Sequence, residues 1–73
     1  MTEVKIKPPF IKLEQLLKFC AAVETGGDAK NLIQCGSVLV NDEVCMMRGK
    51  KLYDGDRVRI NGETEEYICK ISE

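Results

Sequence analysis

Two adjacent prolines, Pro8 and Pro9, divide the chain before any other feature does. Neither has a backbone N–H to give to a ladder or a helix, and each pushes the residue before it out of the helical region. The segments on either side of them must therefore be separate elements. The hydrophobic period changes at the same place. Val4 and Ile6 alternate with Glu3, Lys5 and Lys7, the period of a short strand over 3–7 with one buried face. After the prolines, Phe10, Leu13, Leu16, Leu17 and Cys20 recur at helical spacing. Lys12, Glu14, Gln15 and Lys18 fall on the other faces, which predicts an amphipathic helix over about residues 11–22. Ala21, Ala22 and Val23 carry its apolar end toward the core.

A second helix should start at Thr25, a good N-cap, with Asp28 three residues on in the capping-box position and near the positive end of the helix dipole. Ala29, Leu32 and Ile33 supply its buried face, and Gly36 ends it. Strand periodicity then returns. Val38 and Val40 flank Leu39, Asn41-Asp42 suits a two-residue turn, and Val44 resumes a strand. Arg48-Gly-Lys-Lys51 is a basic loop, and Leu52 and Tyr53 lead to the turn Asp54-Gly55-Asp56. Val58 and Ile60 alternate with Arg57 and Arg59, Asn61-Gly62 is the strongest hairpin signal, and Tyr67, Cys69 and Ile71 face inward from the return strand. There is no repeat, linker or low-complexity segment. The expected fold class is α+β, one domain over 1–73, with two helices packed on a small, mostly antiparallel sheet.

Size and composition narrow the function. A chain of 73 residues buries only about 60% of the surface its unfolded form exposes, so a deep catalytic cleft would consume its core. It has no His, the commonest general base, and its cysteines lack an evident catalytic partner. No glycine-rich phosphate fingerprint is formed. An enzyme is not expected, nor a cofactor or small-molecule substrate. With 44% hydrophobic and 32% charged residues the chain reads as an ordered soluble domain. Apolar runs are too short to span a membrane and the first ten residues contain no signal-peptide core, so no membrane partner is expected and a cytoplasmic location is the default. Cys20, Cys35, Cys45 and Cys69 could form disulfides or bind zinc, but no CxxC pair is present. The preferred reading is four reduced, partly buried thiols acting as small hydrophobes, with no metal.

The net charge of −1 counts against a general nucleic-acid coat protein. Its distribution is uneven, however. Residues 1–60 hold ten Lys and Arg against eight Asp and Glu, whereas residues 61–73 hold Lys70 against four glutamates. A basic face can coexist with an acidic edge.

Residues 11–60 resemble the RNA-binding domain named after protein S-four of the small ribosomal subunit. The matching blocks are IKLEQLLKF (11–19), TGGDAKNLIQCGSVLVN (25–41), RGKKL (48–52) and GDRV (55–58). The resemblance implies a helix pair, the alpha-L motif, on a small strand assembly that binds structured RNA, ribosomal or transfer. It also implies a small stand-alone member of bacterial type, open to association with the ribosome; a monomer is expected. Three departures stand out. Gly26-Gly27 replaces a common Ser-Arg, Asn31 replaces another basic residue, and Asn41-Asp42 replaces Asn-Gly. Two cationic contacts are thus absent, which bears on affinity more than on fold.

The candidate RNA-binding residues are Lys12, Lys18, Lys30, Arg48, Lys50 and Lys51. Long cationic side chains suit phosphate contacts, which position RNA without reading its sequence. Each lysine could equally be a solvated helix residue. The 48–51 cluster is the strongest candidate, because like charges so close repel and seldom serve stability. Its plainer reading is a loop balanced by Asp54 and Asp56. Gly26 and Gly27 could bring backbone N–H groups to a phosphate or could simply tighten the helix–helix corner, and Asp28 would repel an anion there. Arg57 and Arg59 are expected to pair with acids across the hairpin. Tyr53 is a candidate for base stacking or for the core. Two Phe and two Tyr are too few for a broad stacking platform, so recognition should rest on RNA shape and backbone charge. The alternative function is the same fold turned to a protein partner, suggested by the near-neutral charge and the acidic end.

Overall fold

The computed structural model describes residues 2–20 and 22–71. In chain order the elements are β1 (Thr2–Ile6), β2 (Ile11–Lys12), α1 (Leu13–Phe19), α2 (Gly26–Gln34), β3 (Val38–Val40), β4 (Glu43–Val44), β5 (Lys51–Leu52), β6 (Arg57–Ile60) and β7 (Glu66–Ile71). Five strands form one sheet in the order β1-β7-β6-β3-β4, while β2 and β5 make a separate ribbon. Among the described residues β1 and β7 run parallel and the other pairs antiparallel. The two helices pack on each other, giving the α+β architecture expected.

The alternation in β1 is realised, with Val4 and Ile6 buried opposite Cys69 and Ile71. Leu13, Leu16 and Leu17 from α1 meet Ala29 and Ile33 from α2, and Val38, Leu52, Val58 and Cys69 complete the fully buried set. Burying each large aliphatic side chain contributes about 1.5–3 kcal/mol. Leu32, expected on the buried face, is only half-buried against this cluster.

The first helix is shorter than its periodicity implied. Ile11 and Lys12 are extended and pair with Leu52 and Lys51, so Phe10 precedes the helix instead of lying on its apolar face. At the other end Cys20 N–H bonds to Leu16 O, and the N–H groups of Ala22 and Val23 both turn back to Leu17 O. Ala22 and Val23 lie half-buried against the core, and Ala21 falls outside the described residues. The apolar spacing read as one long helix is thus shared by a strand, a helix and a turn.

The second helix follows its capping signals. Thr25 Oγ1 accepts from Asp28 N–H at 3.1 Å. At the far end Gly36 takes φ +83°, its N–H bonds to Ile33 O and that of Ser37 to Leu32 O. This paired closure needs a left-handed residue, which glycine adopts without steric cost. Asn41 and Asp42 both have positive φ, at 51° and 69°, the geometry a two-residue β3–β4 turn requires. Asn41 is held there by its own amide: Oδ1 accepts from Arg57 N–H at 3.0 Å, and Nδ2 donates to Asp56 Oδ1 at 3.2 Å. Asn61-Gly62 does lie in the β6–β7 hairpin, but the connection is longer than two residues. Gly62 (φ +89°) sits in a turn closed by Glu63 N–H on Ile60 O, and the nearest register pair is Arg59 with Glu66.

Candidate nucleic-acid interface

Backbone pairing brings four of the six candidate cations together at the start of α1. Lys12 is the N-cap residue and the strand partner of Lys51. The first helical N–H, of Leu13, donates to Lys50 O at 2.9 Å, and that of Glu14 to Arg48 O at 3.2 Å. The basic loop therefore closes the helix with its own carbonyls and is fixed in place by doing so. Gln15 completes the cap, its Oε1 accepting from Lys12 N–H at 3.3 Å.

Lys12, Arg48, Lys50 and Lys51 are all exposed, and among the described residues none of them forms an ion pair. Four cations around the positive end of a helix are the reverse of what the dipole favours. Glu14 is the one acid in that first turn, and no ion pair among the described residues joins it to the four cations. Asp54 and Asp56, the acids of the plainer reading in which they balance the loop, are engaged elsewhere. Asp54 Oδ1 accepts from Ile71 N–H, and Asp56 Oδ2 accepts from Tyr53 N–H at 2.7 Å.

Aromatic rings adjoin the cations. Lys51 Nζ lies 5.1 Å from the centroid of the Phe10 ring, within cation–π range, and that ring is 5.9 Å from Tyr53 in a tilted arrangement. Tyr53 is 49% exposed and is absent from the core cluster, which removes the core reading for it.

Lys18 and Lys30 are exposed on α1 and α2, and no hydrogen bond or ion pair among the described residues ties either to the group at the start of α1. Lys18 stands in the last turn of its helix, where the dipole favours a cation. Gly26 and Gly27 open α2. A Cβ at Gly26 would meet nothing within 4 Å, and one at Gly27 only Thr25 Oγ1 at 3.7 Å, so packing at the corner does not require glycine. Arg57 is structural as expected, 3.1 Å from Asp42 Oδ2 and 3.8 Å from Glu66 Oε2. Arg59 differs, because its Nε is buried with no hydrogen-bond partner among the described residues.

The four thiols are free. Cys69 is buried, Cys20 and Cys45 half-buried, and Cys35 exposed, which departs from the partly buried state expected of all four. Burial, followed by the nearby Asp56 and Asp54 carboxylates, pushes the Cys69 thiol up to about 11. Burial likewise raises Cys20. Both are held as thiols at neutral pH, which suits packing and not nucleophilic attack.

The sequence did not single out Phe10 and Phe19 as site residues. Phe19 is 64% exposed, between Lys18 and Cys20. A large aromatic off the apolar stripe of an amphipathic helix was the available signal.

The S4 domain family profile matches residues 4–67. The chain is also 44% identical over 59 residues to the "Probable ribosome maturation protein RlbA" of Bacillus subtilis (strain 168), a match covering 81% of this chain and 83% of that protein. Among the described residues no helix is long and apolar enough to cross a membrane.

Proposed function

The chain belongs to the S4 domain family, and from that premise we propose that it binds structured RNA through the cations at the start of α1. The observation that carries this reading is the meeting of Lys12, Arg48, Lys50 and Lys51 at one helix end with no acid among the described residues paired to them. Such a group neutralises phosphates along an RNA backbone and positions the molecule without reading its sequence. Lys18, Lys30 and the N–H groups of Gly26 and Gly27 extend the contact along the helices. The likeness to a protein named for ribosome maturation favours ribosomal RNA, in the cytoplasm, with the chain acting as a monomeric binding module and not as an enzyme.

The test is titration of a ribosomal RNA fragment with the wild type and with a K12E/R48E/K50E/K51E variant. Four phosphate contacts give a slope of log K against log salt of about −3 to −4. The variant should lose at least about tenfold in affinity and most of that slope. Binding insensitive to salt, or intact in the variant, sinks the proposal.

One observation favours a protein partner instead. Val44, Met46 and Met47 are exposed beside Lys50 in a shallow groove. Adaptable methionine surfaces serve protein recognition. Co-purification of a protein that survives ribonuclease treatment, and is lost on changing Met46 and Met47 to Ser, would support that reading.

A further inference from the structure

A second groove lies beside the cationic group. It is open, has a volume of about 490 Å³, and is lined by Lys5, Lys7, Phe10, Ile11, Gln15 and Phe19. Clefts that hold small ligands span roughly 300–1,000 Å³, so one nucleotide fits. Among the described residues no acid lines it. We propose that this groove takes one unpaired base of the RNA, stacked on Phe19 or Phe10, with its flanking phosphates on Lys5 and Lys7. The proposal rests on the RNA-binding reading and deepens it.

Three features favour a base as the occupant. Of the chain's two Phe and two Tyr, three gather on this side: Phe19 is mostly exposed, Phe10 is half-exposed, and Tyr53 contacts Phe10. Rings interleaved with lysines are what single-stranded nucleic acid demands, because each base offers a π-face and each linkage a charge. The groove is also continuous with the cationic group, since the Phe10 ring that lines it lies under Lys51. A strand crossing Lys12 and Lys51 reaches the groove without leaving the protein surface. Finally, Gln15 spends its carbonyl oxygen on Lys12 N–H, which leaves its amide NH₂ to donate to a base edge. Lys5 is 3.9 Å from Glu3, but both are well exposed and such a pair is easily exchanged for a phosphate. With so few rings, the site holds a single base and is not a platform for a long strand.

The experiment compares a blunt RNA duplex with the same duplex carrying a short single-stranded adenosine tail, using the wild type and Phe19→Ala. Phe19 is exposed at the end of α1, so the variant should fold, which an unchanged Tm and circular dichroism would verify. The wild type should bind the tailed duplex about tenfold more tightly than the blunt one, within the range for stacking one base. Phe19→Ala should erase that preference and keep the blunt-duplex affinity. A fluorescent adenine analogue in the tail should be quenched by the wild type alone. Equal affinities for the two RNAs in the wild type, or a tail preference that survives in Phe19→Ala, overturn the base site while blunt-duplex binding still upholds the RNA reading. Failure of the wild type to bind either RNA removes both.

Discussion

At the scale of single residues, Asn41 joins the turn between β3 and β4 to β6. It holds φ 51° and bonds both Arg57 N–H and the Asp56 carboxylate. Asn41→Ala should lose both bonds and strain the turn, lowering stability by roughly 1–3 kcal/mol in urea unfolding. Cys69 gives a pH-dependent prediction. The unfolded chain releases this proton near 9.0, whereas the folded protein retains it to about 11. Between those values the unfolded state binds fewer protons, so stability falls as pH rises through the window. Urea midpoints measured across it should drop less in Cys69→Ala than in the wild type. An alkylating reagent should label exposed Cys35 first and Cys69 only on unfolding. Individual roles were unevenly legible. Thr25 and Gly36 carry local backbone rules and could be read in advance. The exposure of Tyr53 and the Phe10–Lys51 contact could not, because they arise where β2 meets β5, segments far apart in sequence.

At the scale of elements, the capping of α2 was readable because its signals lie within the helix and its flanks. Thr25→Ala should cost about 1 kcal/mol, read as a shift in chemical denaturation. The limits of α1 were not readable. Periodicity records which residues face the core and not whether the backbone between them is helical. Ile11 satisfies its backbone in β2 and Ala22 satisfies its own on Leu17 O. Leu17 lies fully buried near that end, and Leu17→Ala should destabilise by about 2–5 kcal/mol. The cation group was half legible. Four like charges near one helix could be suspected from Lys12 and residues 48–51, but their meeting depends on Leu13 and Glu14 bonding to Lys50 O and Arg48 O.

At the scale of the whole molecule, a net charge of −1 and a cationic site coexist because four of the acids are committed elsewhere. Asp42 and Glu66 hold Arg57, and Asp54 and Asp56 hold backbone around Tyr53 and β7. Total charge was therefore a poor guide to the surface, and its uneven distribution along the chain a better one. The antiparallel pairs β3–β4 and β6–β7 could be anticipated from the turns that join them. The parallel union of β1 with β7 could not, since no local signal announces a contact between the two ends of a sequence. That union bears on biogenesis. β1 leaves the ribosome well before its sheet neighbour β7 is made. Val4 and Ile6 must wait, without their sheet partner, until β7 has been made. Docking of β1 should thus be a late event, so that Ile6→Ala hastens unfolding in stopped-flow traces and leaves the refolding rate nearly unchanged. Until β7 is made the nascent chain carries a sticky, unpaired strand, and a chaperone waiting at the exit tunnel would find it there.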